Sequence, residues 1–351
     1  LESRSYRLKK GGNKMIKLMK PFFVVAVFSA TLIGFTESAK GESKRLAVGI
    51  SALSAIYAPL YIAKDVGLFE KNGLDVDLVL MEFGQIVHAI ISGDITAAGV
   101  GATRIVASKL EGSGIVILAT VNDRMPYKLI VRPEINSPTQ LKGSKLGVAR
   151  FGGLDDTAMR FALSQMGLNP DKDVTILQVG GKAARFAAMQ RGAVAGIIID
   201  PPYTLTARKL GMNTLFDLVK TSPEMVFNGT IAGKESYIKE NPEVIRKLLM
   251  AFVAGVNYYR THKAESIKIM AKYMRIDLRG KTEQEEMEET YDLFVKTVSC
   301  KPYASLEGIR NLLKEFGKKN PKANTAEPQS FVDMRFIREA DESGLIDSVC
   351  K

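Results

Sequence analysis

The sequence contains few of the residues that most often carry catalysis or bind metals. Its 351 residues include two cysteines, two histidines and no tryptophan. His88 and His262 do not stand in a metal-binding spacing such as HExxH, and the sequence has no GxSxG turn and no GxxxxGK[ST] loop. The stretch GVGATR, residues 99–104, comes nearest to a nucleotide loop, but it lacks the third glycine and the ribose-binding acid. We therefore expect a protein that is not an enzyme and needs no metal and no cofactor.

The two cysteines, Cys300 and Cys350, leave two alternatives open. In an oxidising compartment an even number of cysteines permits a disulfide, which would tie the C-terminal tail to the preceding helical region. Two unpaired thiols are an equally good interpretation, because an even count does not bring two Cα atoms within bonding range.

An N-terminal segment has the composition of a secretory signal peptide. Lys17 and Lys20 precede an uncharged run over residues 21–36, and the small residues Ser38 and Ala39 follow it. The run is shorter than the ~20 residues that a membrane-spanning helix needs. We expect cleavage after Ser38 or Ala39, an upstream extension before Met15 and a periplasmic mature protein. No cysteine lies near the cleavage point, so no lipid anchor is expected.

The positive charge of the chain is modest once this leader is excluded. Residues 1–39 hold seven of the 49 Lys and Arg residues and two of the 38 Asp and Glu residues, so the formal charge falls from +11 to about +6. The remaining cations are dispersed apart from KEFGKKNPK near the C-terminus. This pattern argues against nucleic acid as a partner and leaves a mild attraction for anions.

From residue 45 onward, apolar strands alternate with amphipathic helices, which is typical of α/β architecture with parallel sheets. At YKLIVRPEINSPTQLKG the rhythm changes, and a second series of strands and helices begins. The extended segment MVFNGTIAG then predicts a return crossing, and helices follow it, which we expect to pack on the first lobe. The predicted domains are residues 40–131 with 230–351 for lobe I and residues 132–229 for lobe II.

Small and polar residues occupy the turns that follow the predicted strands. In a parallel sheet these turns meet at the carboxyl ends of the strands, where ligands bind. Helix N-termini there present free N–H groups and about half a positive charge. In ARFGGLDDT, residues 149–157, glycines permit close approach of a ligand, so we expect Gly152 and Gly153 to offer backbone amides to it.

Several polar residues near these turns have two open interpretations. Asp155 or Asp156 could be the N-cap of its own helix or could contact a donor group of the ligand, and Thr157 could donate its hydroxyl. Asn122 and Arg124 follow a strand end, where Arg124 could hold an anion or could be an ordinary surface residue. Tyr57 and Tyr203 could stack on a planar ligand or pack at the rim of the cleft. Asn228, in the return crossing, is a further candidate for contact with the ligand.

The order of these features resembles the periplasmic substrate-binding proteins of ABC importers, in the group for nitrate, sulfonates, taurine and thiamine-pyrimidine precursors. The matching phrases are APLYIAKDVGLFEKNGLDVDLVLM, AIISGDITAAGVGA, LKGSKLGV, FALSQMGLNPDKDVTILQV, AAMQRGAVAGIIIDPP and ENPEVIRKLLMAFVAGV. Thr96 and Ala195 stand where the group often has Asp in its small-residue turns.

The resemblance implies a type II periplasmic binding protein fold, with two α/β lobes, two hinge crossings and a ligand cleft between them. It also implies a monomer that delivers a small polar or anionic organic molecule to ABC permease subunits in the inner membrane. By position it places the pocket on Ser51, Ala52, Tyr57, Gly84, Gln85, Ala102, Thr103, Phe151, Gly152, Gly153 and Thr157, with Asp200 and Tyr203 on the remaining cleft turn.

Two other functions fit the same fold. One is an enzyme of pyrimidine or menaquinone precursor metabolism, and the other is a periplasmic sensor that presents a ligand to a receptor. The synthases of this fold use a cysteine-rich motif and an active-site histidine, and neither pattern occurs here. The signal peptide also disfavours a cytosolic enzyme.

Overall fold

The computed structural model of the chain describes residues 44–122, 124–221 and 229–349. All of these residues belong to a single structural unit, Glu42–Lys351. The predicted signal peptide, Asn228 and Cys350 lie outside the described residues. Within the described ranges, no helix combines the length and apolar character needed to cross a membrane.

Ten strands form two five-stranded mixed sheets. Lobe I holds the sheet of order β2-β1-β3-β10-β4, and lobe II holds the sheet of order β7-β6-β8-β5-β9, as the bounds below define them. The strands are β1 Lys44–Ile50, β2 Leu74–Leu80, β3 Ala97–Val100, β4 Ile115–Thr120, β5 Lys128–Val131, β6 Lys145–Val148, β7 Thr175–Gln178, β8 Gly196–Ile199, β9 Asn213–Asp217 and β10 Thr230–Lys234.

Helices connect these strands and continue after β10. They are α1 Ala58–Asp65, α2 Leu68–Lys71, α3 Phe83–Ser92, α4 Ala102–Leu110, α5 Leu154–Gln165, α6 Lys182–Gln190, α7 Tyr203–Lys209, α8 Leu218–Thr221, α9 Glu235–Glu240, α10 Pro242–Thr261, α11 Lys263–Met274, α12 Lys281–Phe294, α13 Leu306–Gly317, α14 Arg335–Glu342 and α15 Leu345–Val349. Short 3₁₀ helices cover Ala55–Tyr57, Pro138–Leu141, Pro321–Asn324 and Pro328–Phe331.

Each sheet combines a parallel part with one strand of opposite direction. In lobe I, β1 pairs in parallel with β2 and β3, while β10 pairs antiparallel with β3 and β4. In lobe II, β6 pairs in parallel with β7 and β8, while β5 pairs antiparallel with β8 and β9. The carboxyl ends of the parallel strands of each lobe therefore lie at one edge of its sheet, as the alternating pattern predicts. The predicted two-lobed α/β fold is confirmed.

The first chain crossing lies earlier than the sequence indicates. The boundary was expected near Arg132, but β5 pairs along its whole length with β8 and β9 of lobe II. The chain therefore passes between the lobes after Thr120 and before Lys128. A short apolar strand such as KLIV does not by itself reveal its sheet, because its pairing partners lie far along the chain. The chain returns to lobe I before Thr230, since β10 pairs with β3 and β4.

Two large apolar clusters hold the molecule together. One lies in lobe I and includes Phe69 of α2, Phe252 and Tyr259 of α10, and Met287 and Phe294 of α12. The C-terminal helices α10, α11 and α12 therefore pack on lobe I.

The second cluster spans both lobes. It extends from Ile105 and Ile117 of lobe I through Met125 and Tyr127 of the first crossing to Leu163 of lobe II. Helix α13 adds apolar residues to the same cluster. The two lobes are thus joined beside the crossing by continuous apolar packing, and this packing positions their facing edges.

Cys300 is disulfide-bonded in the structure. This excludes the alternative of a free thiol at that position. The one other cysteine of the sequence, Cys350, lies outside the described residues.

Candidate functional site

A cavity of about 390 Å³ lies between the facing edges of the two lobes. Lobe I contributes residues that follow β1 and β3, and lobe II contributes residues that follow β6, β7 and β8, so the strand ends of both lobes meet there. Its lining residues are Ser51, Ala52, Leu53, Ser54, Ile56, Tyr57, Gly101, Thr103, Arg104, Ala107, Tyr127, Ala149, Arg150, Gly152, Gly153, Leu154, Asp155, Gly181, Lys182, Arg185, Asp200 and Phe316. The volume lies in the range of small-molecule binding sites.

The structure brings eight of the residues proposed from the sequence together around this cavity. They come from both lobes: Ser51, Ala52, Tyr57, Thr103, Gly152, Gly153, Asp155 and Asp200.

The other described candidates do not line the cavity. Gly84 and Gln85 are exposed on α3, Ala102 is buried at the start of α4, and Phe151 is 56% exposed at the surface. Asn122 is buried and donates from Nδ2 to Thr297 Oγ1 over 2.6 Å. Arg124 is exposed, Asp156 and Thr157 face other groups of α5 and its loop, and Tyr203 packs on Phe186 with ring centroids 5.4 Å apart. Asn228 lies outside the described residues, and a ligand contact at each of these positions stays a prediction.

Tyr57 reaches the cavity because a glycine leaves room for its ring. A Cβ on Gly99 of β3 would lie 2.8 Å from the ring atoms Cδ1 and Cε1 of Tyr57. The Tyr57 hydroxyl lies 2.7 Å from Ser51 Oγ, and either atom can be the donor. Burial raises the pKa of Tyr57 to about 12, so its phenol is neutral at physiological pH. Lobe I therefore presents a neutral hydroxyl pair to the cavity.

The glycine loop before α5 is arranged differently from the expectation. Gly153 is the N-cap residue, so neither Asp155 nor Asp156 occupies that position. Asp155 accepts a hydrogen bond from the amide of Ala149, and Asp156 Oδ2 accepts one from the amide of Gly152 over 2.8 Å. The Thr157 hydroxyl donates to the carbonyl of Gly153 over 3.1 Å.

The two glycine amides that were expected to face a ligand are therefore already engaged. Gly152 donates to Asp156, and the Gly153 amide donates to the carbonyl of Arg150 over 3.3 Å. Both glycines still line the cavity and leave its wall free of side chains. The acids inside the first turn bind the loop back onto its own helix, an arrangement that local sequence alone did not predict.

Four cationic side chains supply the positive charge of the cavity. Arg104 comes from α4 of lobe I, while Arg150, Lys182 and Arg185 come from lobe II. Two lining acids oppose them, and each forms an ion pair: Lys182 Nζ lies 2.6 Å from Asp200 Oδ2, and Arg185 pairs with Asp155. The lining side chains thus carry two more positive than negative charges.

Arg104 and Arg150 bring like charges together from opposite lobes. Burial lowers the pKa of Arg150, and repulsion by Arg104 lowers it further, while Asp155 and Glu82 oppose this shift. Burial likewise raises the pKa of Asp155, against the attraction of Arg185. An anion between the two arginines would replace repulsion across the cleft with attraction to both lobes.

These cations are functional candidates that sequence reasoning missed. Arg104 and Arg150 adjoin the turns GAT and FGG, which the strand-end rule had already selected, so a cation next to such a turn was a usable signal. Lys182 and Arg185 are three residues apart in the first turn of α6 and therefore share a helix face.

Three buried polar atoms among the lining residues have no hydrogen-bond partner among the described residues. They are Thr103 Oγ1 of lobe I, and Arg185 Nε and Asp200 Oδ1 of lobe II. In the described part of the chain, no group of three or more His, Cys, Asp or Glu side chains could hold a metal ion.

Comparison with known proteins agrees with this arrangement of lobes and cleft. The profile of the NMT1/THI5-like family matches residues 55–266, which span most of both lobes. The chain belongs to the NMT1/THI5-like family. The resemblance deduced from the sequence is thereby confirmed at the level of the family.

Among the relatives of this NMT1/THI5-like protein is a Brucella abortus protein provisionally described as a binding protein. It is 27% identical over 220 residues, which cover 62% of this chain and 67% of the relative. The nitrate/nitrite binding protein NrtA of Nostoc is 24% identical over 276 residues, which cover 69% of this chain and 60% of the relative.

Solved structures share the fold. The periplasmic aliphatic sulphonate binding protein SsuA of Escherichia coli superimposes with a TM-score of 0.66 at 20% identity, over 83% of this chain and 92% of that one. The desulfurization enzyme DSZB superimposes with a TM-score of 0.64 at 14% identity, over 85% of this chain and 99% of that one. The fold of this NMT1/THI5-like protein therefore occurs both in binding proteins and in an enzyme.

Proposed function

We propose that this chain is a periplasmic solute-binding protein that captures a small anionic molecule between its lobes and delivers it to an ABC importer. The observation that carries the proposal is the pair Arg104 and Arg150, which reach the same cavity from opposite lobes. A bound anion stabilises the closed arrangement because it contacts both lobes only when they are shut. No covalent step is needed, so binding is reversible.

Sulfonates, nitrate and carboxylates are the ligand classes that the charges of the cavity favour. A planar guanidinium can bind the oxygens of such groups through two parallel hydrogen bonds. The names of the nitrate/nitrite and sulphonate binding relatives support the same classes. A pyrimidine-like ligand with an acidic substituent would also fit the excess positive charge.

A ligand screen tests the proposal. Thermal unfolding of the purified protein is measured with sulfonates, nitrate, carboxylates and pyrimidine derivatives, since a ligand at ~100 times its dissociation constant adds ~2.7 kcal/mol of stability. Each compound that stabilises the protein is then titrated by calorimetry. If no anion of these classes binds, the proposal fails.

Variants of the two arginines show whether the anion binds where we propose. Arg104→Gln and Arg150→Gln should each weaken the best anion by about tenfold or more, because a charge-assisted hydrogen bond is lost in a partly buried site. Arg191→Gln removes the same charge from an exposed position after α6 and should leave affinity unchanged. If Arg104→Gln and Arg150→Gln bind the anion as tightly as Arg191→Gln and the wild type do, the ligand binds elsewhere.

The enzyme alternative has one observation in its favour, the fold shared with DSZB. An enzyme is distinguished from a solute-binding protein by recovering the ligand after prolonged incubation with the protein. We expect the recovered mass to be unchanged, whereas conversion of the compound would favour an enzyme.

The remaining parts of the proposal have direct tests of their own. N-terminal sequencing of protein recovered from the periplasm should begin after Ser38 or Ala39. Size-exclusion chromatography should give the mass of a monomer, and uptake of the ligand should require neighbouring permease and ATPase genes.

A further inference from the structure

Phe316 of α13 brings a further part of the chain to the cavity between the lobes. It lines that cavity although it lies in none of the turns at the strand ends, and its side chain is only partly buried, so this side of the wall reaches the protein surface. Helix α13 packs against α4, which carries the lining residues Arg104 and Ala107. The C-terminal end of α13 therefore lies at the rim of the cavity, on the side of Arg104.

Four exposed lysines lie in the last turn of α13 or within five residues of its end: Lys314, Lys318, Lys319 and Lys322. The amide of Lys319 donates to the carbonyl of Phe316 over 2.9 Å, so the chain folds back beside this residue of the cavity wall. Asn324 Nδ2 donates to the carbonyl of Gly317 over 3.4 Å, which keeps Lys322 near the same end of the helix.

The charge of this segment is strongly one-sided. Residues 314–322 contain four lysines and one acid, Glu315, so their formal charge is 4 − 1 = +3. Lys318 Nζ lies 2.8 Å from Glu315 Oε1 and 2.7 Å from Oε2, so the one acid is already paired. The charges of the other three lysines are therefore not balanced within the segment.

We infer that residues 314–322 form an entry patch that concentrates small anions at the rim of the cavity and so raises the rate at which they bind. This inference rests on the proposed function. Charges of one sign beside a cleft attract counter-ions and speed their association. The screening length at physiological ionic strength is about 8 Å. Lys318 stands two residues after Phe316, which is at most ~7 Å along the chain.

The entry patch should act on association more than on dissociation. Its lysines are exposed and solvated, and such charges contribute little to the energy of a contact once it has formed. Changes in charge at the rim of a binding site alter the association rate and its salt dependence. Arg104 and Arg150, inside the cavity, would instead determine how long the anion stays bound.

A tryptophan at the cavity wall measures the local concentration of anions without a known ligand. The sequence contains no tryptophan, so Phe316→Trp introduces a single reporter. Quenching of its fluorescence by iodide is divided by quenching by neutral acrylamide, which corrects for exposure. We expect this ratio to fall about twofold or more when Lys318, Lys319 and Lys322 are all replaced by Gln, and the difference to disappear in high salt.

The matched control removes the same charge elsewhere. Lys71, Lys239 and Lys268 are exposed lysines of α2, α9 and α11, and none of these helices contributes to the cavity wall. Replacing all three by Gln should leave the iodide ratio unchanged. Circular dichroism and thermal unfolding verify that each variant is folded.

Stopped-flow kinetics test whether the entry patch acts on binding. The sulfonate, nitrate or carboxylate that binds most tightly in the thermal screen is mixed with protein that retains Phe316, and tyrosine fluorescence is followed because Tyr57 and Tyr127 line the cavity. The triple lysine variant of the entry patch should lower the association rate constant about threefold or more at a salt concentration of about 10 mM. The dissociation rate constant should change less than about twofold. The control variant should match the wild type in both.

The outcomes separate this inference from the proposed function. An iodide ratio that is equal in the entry-patch and control variants refutes the inference, whatever binds in the cavity. A lower iodide ratio with an unchanged association rate also refutes it, because the anions then gather without being guided to the site. If anions bind and depend on Arg104 and Arg150, the proposed function stands in both cases. If no anion binds, the proposed function is wrong, and the inference fails with it even where iodide still prefers the wild-type patch.

Discussion

Thr206 Oγ1 on α7 donates a hydrogen bond of 2.9 Å to Glu286 Oε1 on α12, and this contact joins lobe II to a helix that packs on lobe I. Two ion pairs extend it: Arg208 lies 3.0 Å from Glu289, and Lys209 lies 2.9 Å from Glu285. Helix α7 begins just after Asp200, and α12 contacts the 3₁₀ helix that holds Tyr57. The polar contact between α7 and α12 therefore lies next to the proposed binding cavity, in addition to the chain crossings.

This contact should favour the closed arrangement of the lobes. Lys209→Glu should weaken ligand affinity by a few-fold, because both side chains of the pair are partly exposed and such pairs contribute ~0.2–1 kcal/mol. The double variant Lys209→Glu, Glu285→Lys should recover most of the affinity. Calorimetry at low and high salt measures both effects, and salt should diminish the difference.

Lys239→Glu, on α9 of lobe I, is the matched control and should leave affinity unchanged, since α9 packs against β10 and α10. A Lys209→Glu variant with wild-type affinity, or a double variant no better than the single one, would show that the contact does not couple to binding.

Close helix packing makes one glycine difficult to replace. A Cβ on Gly255 of α10 would overlap the carbonyl oxygen of Pro59 and lie 3.2 Å from the Cβ of Ala63 on α1. Replacing a helical glycine with alanine is normally favourable by roughly 0.5–1 kcal/mol. At this site the overlap with backbone atoms should make the replacement destabilising instead. Gly255→Ala should lower the free energy of unfolding by ~1–3 kcal/mol.

Gly84→Ala provides the comparison for that variant. Gly84 also lies in a helix, but nothing lies within 4 Å of the position its Cβ would take. Denaturant unfolding should show this variant to be as stable as the wild type or slightly more stable. Similar stability changes for both variants would mean that α1 and α10 can separate at little cost.

The ion pair of Arg185 with Asp155 is buried, with the Arg185 side chain 4% exposed. Arg185→Met should lower the free energy of unfolding by ~3–5 kcal/mol at neutral pH, because it leaves a buried carboxylate without its cation. Arg160→Met removes a cation from the neighbouring Asp156, but Arg160 is 35% exposed and Asp156 keeps the amide of Gly152. This second variant should lose only about 1 kcal/mol.

The pH dependence of the same variant has a definite sign. Burial raises the pKa of Asp155 even with Arg185 present, and loss of the cation raises it further. A folded state whose carboxyl has the higher pKa binds a proton more tightly than the unfolded state, so stability falls as pH rises through the range between the two pKa values. The free energy of unfolding that Arg185→Met loses relative to the wild type should therefore become smaller as the pH is lowered from 7 toward about 5. A loss of unfolding free energy that grows on acidification would contradict this account.

The sequence by itself determined the alternation of strands and helices, the two series that become the two lobes, and the turns at the strand ends. Hydrophobic periodicity and turn residues act over a few positions, so they can be identified without distant partners. They placed Ser51, Tyr57, Thr103 and Asp200 at strand-end turns, and those residues do line the cavity.

Only the tertiary structure decided which strand joins which sheet and which charges meet. The assignment of β5 to lobe II depends on pairing with β8 and β9, far along the chain. The two acids of α5 accept hydrogen bonds from amides of the glycine loop, and Asp155 also pairs with Arg185, because these groups reach the acids only in the folded chain. The approach of Arg104 to Arg150 arises when two lobes face each other, and electrostatic energy depends on that separation in space.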